Sequence, residues 1–123
     1  MLTHSTEFIV WVGRNPGWIF NYEQMKTHTE NGVQLGDVWR FPVVGGKQRL
    51  KNAEGKSLHP TQKPEALVGR CLEMASNTGD WVLDPFGGTM TTAVMCLRLN
   101  RRFICVEKDR EYYTRGVSRL RLG

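Results

Sequence analysis

Asp84 closes an apolar run, Trp81-Val82-Leu83, and is followed by Pro85-Phe86-Gly87-Gly88-Thr89-Met90-Thr91-Thr92. An acid at a strand end, then a tight glycine turn that opens a helix, is how doubly wound α/β proteins hold a nucleotide-like cofactor. The backbone can approach the ligand where no Cβ intrudes, and the first N–H groups of the helix face it. Downstream, Arg102-Phe103-Ile104-Cys105-Val106 reads as a second strand ending in Glu107, 23 positions after Asp84. That is close to the roughly 20 residues at which an acid on the neighbouring strand meets ribose hydroxyls. A glycine turn alone would say little. Strand, turn, helix, strand and acid in register say much more.

Upstream lies His59-Pro60-Thr61-Gln62-Lys63-Pro64-Glu65-Ala66-Leu67. With this segment ahead of the glycine turn, the chain resembles the β-group DNA amino-methyltransferases, which use S-adenosyl-L-methionine and place their cofactor motifs after the catalytic motif. Thr6-Glu7-Phe8-Ile9-Val10-Trp11, Phe20-Asn21-Tyr22, Val38-Trp39-Arg40-Phe41-Pro42 and Gln48-Arg49-Leu50-Lys51 extend the match. Together they resemble the GANTC-type adenine-N6 methyltransferases, a group that includes the bacterial cell-cycle-regulated enzymes. The resemblance runs from Thr6 to Leu120, nearly the whole chain.

The resemblance implies a partial Rossmann-like methyltransferase fold of the α/β class, with an incomplete, mainly parallel sheet and flanking helices. It implies that Thr61 and Lys63 contact the methionine portion of the cofactor. Asp84, Pro85 and Phe86, with Gly88 and Thr89 in the turn, would surround its amino-acid part, and Glu107 would accept from the ribose hydroxyls. Plainer readings stand beside these: Lys63 as an exposed lysine before a helix, Asp84 as a turn-capping aspartate, Glu107 as a surface glutamate. Two departures matter. The family usually has glycine where this chain has Met90, so the turn must seat a side chain there. The catalytic tetrapeptide of the family, Asp-Pro-Pro-Tyr or a close relative, does not occur in these 123 residues, and the chain resembles the C-terminal part of such an enzyme.

A chain of this length is expected to form one domain with a small core. Within it, residues 1–58 would hold a strand and a basic target-recognition region, and residues 59–123 the cofactor region. A hydrophobic fraction of 40% argues against disorder. No apolar run approaches the roughly 18–20 residues of a membrane span, and no signal-peptide layout is visible, so a soluble, cytoplasmic protein is expected. The resemblance suggests a nucleoid-associated protein of bacterial or phage origin. Cys71, Cys96 and Cys105 sit singly in apolar patterns and fit reduced core thiols. The histidines share no ligand spacing, so no metal is assigned, and His59 is read as structural.

The net charge of +5 is unevenly spread. Residues 40–63 hold six basic side chains against Glu54 alone, and residues 98–121 hold eight against three acids. Basic clusters suit a polyphosphate partner, because each neutralised phosphate releases counterions. The first cluster is loop-like and is read as DNA-facing; Arg14, Arg40, Lys47, Arg49 and Lys51 are the phosphate candidates for double-stranded DNA. In the second, Arg115, Arg119 and Arg121 are read as complements to a helix C-terminus. Trp39 and Phe41 could stack on a displaced base, though small-core aromatics are the commoner explanation.

Positioning these residues requires the following elements. Residues 7–12 read as a strand ended by Gly13 and Asn15-Pro16-Gly17. Residues 38–44 could form a short strand, with Pro42 placing it at an edge, and residues 45–58 a basic loop. A helix should start with Pro64 in its first position and show an apolar face through Leu67, Val68, Cys71, Leu72 and Ala75. Helices over 91–99, closed by Asn100, and from an Asp109 cap to Leu120 should follow. Helix, strand, helix, strand implies a parallel pair with a crossover, and three or four strands in all. The strand at Trp81 then lacks a neighbour, so a second copy or a complementary N-terminal polypeptide is expected to cover the exposed edge, or else the strands rearrange.

The function these observations imply is the cofactor-binding and DNA-contacting portion of a site-specific adenine-N6 methyltransferase, inactive by itself. A non-catalytic remnant that binds nucleic acid or cofactor, and the cytosine-N4 variant of the same enzyme group, remain open. A dehydrogenase is more distant, because its turn would read GxGxxG.

Overall fold

A computed structural model describes residues 6–14, 16–59 and 61–121, with Pro60 of the His59–Pro64 segment outside the described residues. The two apolar runs form strands β1 (Trp81–Asp84) and β2 (Arg102–Cys105). They pair in parallel, with Trp81 opposite Arg102 and Asp84 opposite Cys105. Helix α3 (Thr91–Arg98) connects them, as parallel neighbours require. Strand β2 stops two residues short of Glu107, yet its hydrogen bonding continues. Val106 donates its N–H to the Asp84 carbonyl at 2.9 Å, and its own carbonyl accepts from Gly87 at 2.8 Å. These two bonds bring Glu107 level with the glycine turn.

Helix α2 (Glu65–Ala75) starts directly after Pro64. Pro64 is the N-cap and not the expected first helical residue: its φ of −61° suits either place, but its ψ of 136° is extended. Its carbonyl accepts the first helical bond, from Val68 at 3.2 Å. Helix α3 ends as expected on Asn100, whose φ of 56° is the left-handed conformation that Asn tolerates. Helix α4 (Arg110–Leu120) is capped by Asp109, whose side chain accepts from Glu111 and Tyr112 at 2.9 Å each. Tyr112, Val117 and Leu120, expected to be its inner face, are half-buried; the fully buried position is Gly116.

The core lies around α3, from which Ala93, Val94 and Cys96 are buried, together with Met90, Leu72 and Met74. Helix α3 packs on β2, α2 packs on α3, and a short helix α1 (Tyr22–Lys26) packs on α2. Asn21 ties the N-terminal half to the end of α2. Its side chain donates to the carbonyls of Glu73 and Ser76 at 2.8 and 2.9 Å, and its backbone N–H donates to Met74 at 2.8 Å.

Two expected strands do not form. Residues 7–12 are irregular, and Phe8 is 93% exposed. A run of β-formers makes a strand only when another strand satisfies its N–H and C=O groups, and none does so among the described residues. Residues 38–44 are also irregular. There Trp39 and Phe41 pack against the guanidinium of Arg70, at 5.2 and 4.5 Å from the ring centroids. The sheet among the described residues therefore has two strands, not three or four. The basic loop holds a 3-10 turn (Gly46–Gln48) and an antiparallel bridge between Lys51 and Ser57. One sheet face carries Trp81, Leu83, Ile104 and Val106, each more than half exposed.

Candidate cofactor site

The glycine turn is held from both ends by carboxylates. One Asp84 oxygen accepts from the Phe86 N–H at 3.0 Å, and the other from the Thr92 hydroxyl at 2.6 Å. Asp84 thus folds the turn back onto the start of α3, the capping role, while also facing the cavity described below. One Glu107 oxygen accepts from the Gly88 N–H at 2.7 Å, and the other from the Asp109 N–H at 2.8 Å. An ionised carboxylate has about four acceptor sites, so Glu107 keeps capacity for further donors.

Two residues of the turn are left-handed, Gly88 at φ 52° and Met90 at φ 61°. For glycine this costs little; for Met90 it costs about 1–2 kcal/mol. The Met90 side chain is almost completely buried, and that burial offsets the backbone cost. The side chain that the sequence requires the turn to seat lies inward, under α4.

At the C-terminal end of β1 lies a cavity of about 190 Å³ whose lining includes Thr61, Lys63, Asp84, Phe86, Gly88 and Thr89. The fold gathers six of the eight expected cofactor residues. Pro85 and Glu107 do not line it, and Glu107 reaches the site through the Gly88 N–H. His59 and Gln62 also form its wall. The His59 ring accepts from the Thr61 N–H through Nδ1 at 3.2 Å and rests on the Tyr112 ring, centroids 4.6 Å apart. Its contacts are those of a packed wall. Ligand pockets usually measure about 300–1,000 Å³. The cavity therefore has room for part of a nucleotide-sized cofactor. A larger open hollow of about 630 Å³, bordered by Asn21, Glu73 and Arg101, shares no residue with it.

The Lys63 ammonium contacts the Glu7 carboxylate at 2.6 Å, an exposed pair that links the N-terminal segment to the cavity. A second ion-pair group was not legible from spacing. Arg119 donates to the Thr89 carbonyl at 2.5 Å and to Glu65 at 2.7 Å, while Arg98 reaches the other Glu65 oxygen at 2.5 Å. Arg119 and Glu65 are largely buried, at 13% and 12% side-chain exposure, so Arg119 is more than a complement to the helix terminus.

Of the expected phosphate contacts, Arg14, Arg40 and Lys51 are exposed. Arg49 is tied to its own loop, donating to Ser57 at 3.1 Å and to the Val44 carbonyl at 3.2 Å. Lys47 belongs to the 3-10 turn, and its side chain lies outside the described residues. The three cysteines are free thiols. Burial, with the Asp84 charge adding, pushes Cys105 up to about 11. No helix among the described residues is long and apolar enough to cross a membrane.

A parallel strand pair with an acid-bounded glycine turn at its C-terminal end defines a cofactor-binding α/β unit. A family profile described as DNA methylase, of the N6/N4 methyltransferase type, matches residues 1–118, and the chain belongs to that family. It is 40% identical over 121 residues to the type II methyltransferase M2.DpnII of Streptococcus pneumoniae, covering 96% of this chain and 43% of the relative. It is 38% identical over 124 residues to M2.LlaDCHI of Lactococcus lactis subsp. cremoris, covering 98% of this chain and 44% of the relative. The chain thus spans less than half the length of these relatives. Among solved structures, M1.HpyAVI in complex with SAM superposes with a TM-score of 0.54 at 33% identity, over 84% of this chain and 44% of that one. The cytosine-N4-specific PvuII DNA methyltransferase superposes with a TM-score of 0.50 at 32% identity, over 54% and 23%. The fold is accordingly part of the methyltransferase α/β fold, in a family whose cofactor is S-adenosyl-L-methionine.

Proposed function

We propose that this chain supplies the S-adenosyl-L-methionine-binding and DNA-contacting portion of an adenine-N6 DNA methyltransferase, and that it transfers no methyl group by itself. The observation that carries the reading is the gathering of Thr61, Lys63, Asp84, Phe86, Gly88 and Thr89 around one cavity at the end of β1. The donor set fits the cofactor. Lys63 is a point charge for a carboxylate, and Glu107 retains acceptor capacity for ribose hydroxyls beside the glycine turn whose Gly88 N–H it accepts. The cofactor would bring an electrophilic methyl group. The chain's own residues would bind its amino-acid end and its ribose, while Arg14, Arg40, Lys47, Arg49 and Lys51 would meet DNA phosphates.

Methyl transfer to an exocyclic amine depends on positioning that amine. The tetrapeptide that grips it in the family does not occur in these residues, so a segment outside them would supply it. The similarity to a cytosine-N4 enzyme favours a second reading in which the target is cytosine. Calorimetric titration of the chain with S-adenosyl-L-methionine, followed by a radiolabelled transfer assay on duplex DNA, tests both. Binding without transfer is expected. Addition of a complementary N-terminal polypeptide should yield N6-methyladenine by mass spectrometry, and N4-methylcytosine would select the second reading. Transfer by the chain alone, abolished in Asp84→Ala, would overturn the proposal.

A further inference from the structure

We propose that Arg119 is a positioning residue that sets the separation between the two walls of the cofactor cavity, acting through Glu65 and the Thr89 carbonyl. The inference deepens the cofactor-binding reading above and rests on it. One wall, Thr61 to Lys63, leads through Pro64 into the first residue of α2, which is Glu65. The other wall, Gly88 and Thr89, leads through Met90 into the first residue of α3, which is Thr91. No backbone hydrogen bond ties these two helix starts together among the described residues. The tie comes from α4.

The Arg119 guanidinium spans the gap with three contacts. It donates to the Thr89 carbonyl at 2.5 Å, to the Thr91 hydroxyl at 3.3 Å and to Glu65 at 2.7 Å. The planar guanidinium reaches the carbonyl through Nη1 and the carboxylate through Nη2, two nitrogens at a fixed separation; a lysine ammonium has all its donors on one nitrogen at the end of a flexible stem and offers no such rigid span. Low exposure keeps the contacts from being screened as a surface pair would be. Arg98, on the far Glu65 oxygen, is 58% exposed and orients that carboxylate from outside. The Thr89 carbonyl matters because its residue is both a cavity wall and the last before the left-handed Met90. Losing the guanidinium leaves a nearly buried carboxylate with only Arg98 and lets the turn drift from α2.

The test uses the 123-residue chain and Arg119→Lys, with two readouts. Amide exchange without ligand should quicken about tenfold over residues 88–92, while the Arg102 and Val106 amides, bonded across β1 and β2, keep their protection. Titration with S-adenosyl-L-methionine should show an affinity about tenfold weaker than wild type. Uniformly faster exchange, unchanged exchange at 88–92, or local loosening with wild-type affinity would each overturn the proposal. A wild-type chain that binds no cofactor would defeat the cofactor-binding reading instead, and the exchange arm would still decide whether Arg119 braces the turn. Should Arg119→Lys fail to fold, Glu65→Gln, which keeps an acceptor but not the charge, takes the same two measurements.

Discussion

The side chain of Met90 fills the space that a side chain on Gly116 would need. A Cβ at Gly116 would lie only 3.0 Å from the Met90 Cβ and 3.0 Å from the Thr89 carbonyl carbon. The buried glycine of α4 and the left-handed methionine of the turn are therefore one solution: a helix without a side chain at one point lets the turn keep a large one.

Gly116→Ala should destabilise the chain by about 1–3 kcal/mol through overpacking, despite the better helix propensity of alanine. Met90→Gly should also destabilise, because losing a buried side chain costs about 2–5 kcal/mol against roughly 1–2 kcal/mol of relieved backbone strain. The double variant should lose less than the two single variants together, by at least about 1 kcal/mol, since deleting the methionine side chain removes the atoms that the new alanine methyl would strike. Thermal or urea unfolding of the four proteins measures this; strict additivity would mean that the two sites are independent.

Glu107→Ala should weaken S-adenosyl-L-methionine binding about tenfold or more, because hydrogen bonds to a charged group are worth about 1.5–3 kcal/mol. It also removes the acceptor for the Gly88 and Asp109 N–H groups, so Glu107→Gln, which keeps one acceptor oxygen, should lose less. Equal affinity for wild type and Glu107→Ala in a calorimetric titration would remove Glu107 from the site.

Glu7 and the cofactor carboxylate would compete for Lys63. The pair is exposed, so breaking it costs about 1 kcal/mol at most. Glu7→Ala should leave the unfolding temperature nearly unchanged and tighten cofactor binding, by no more than about fivefold. Weaker binding in that variant would show that Glu7 orients Lys63 instead of occupying it.

Cys105 should react slowly with iodoacetamide. With its thiol pushed up to about 11, the thiolate at neutral pH is roughly three-hundredfold scarcer than for a free cysteine near 8.5. The folded chain holds its proton after the unfolded chain has released it. Its contribution to stability is therefore complete below about pH 8.5 and fades as pH rises towards 11. Alkylation of Cys105 in the native protein as fast as in urea would contradict its burial.

The exposed face of Trp81, Leu83, Ile104 and Val106 should associate. Light scattering at micromolar concentration should report a dimer or larger species, and Ile104→Asp should shift it towards monomer. A monodisperse wild-type monomer with a cooperative unfolding transition would show that this face needs no cover.

The part of the fold read from sequence is the part whose pattern is local. Trp81 to Asp84, the glycine turn, the Asp109 cap and the Asn100 stop each combine a residue type with a neighbour a few positions away, and each formed. Pro64 moved by one position because proline fixes φ but leaves ψ free. Residues 7–12 carry a strand pattern without a strand, since alternation reports side-chain preference and says nothing about a hydrogen-bonding neighbour. Gathering six cofactor residues was legible because two local motifs carry them, Thr61 and Lys63 just ahead of α2 and Asp84 to Thr89 at the end of β1. The role of Arg119 was not, because its partners, Glu65 and Thr89, lie 54 and 30 residues away. Gly116 carried no signal either, its reason being the shape of Met90.

Asn21 docks on Glu73, Met74 and Ser76, more than fifty residues further along the chain. During synthesis, Asn21 emerges well before its acceptors exist. At about 5–20 residues per second the delay is some seconds, far longer than hydrophobic collapse needs. Throughout that interval helix α1 lacks the α2 surface it packs on, while Trp11 already has Trp18 and Phe20 to pack against, at 4.5 and 5.5 Å between ring centroids. Arrest of translation just before α2, compared with arrest after it, should leave the nascent chain markedly more sensitive to protease; equal sensitivity would mean that the N-terminal half shelters itself. A contact made this late ties the docking of the N-terminal half to how quickly the ribosome delivers α2.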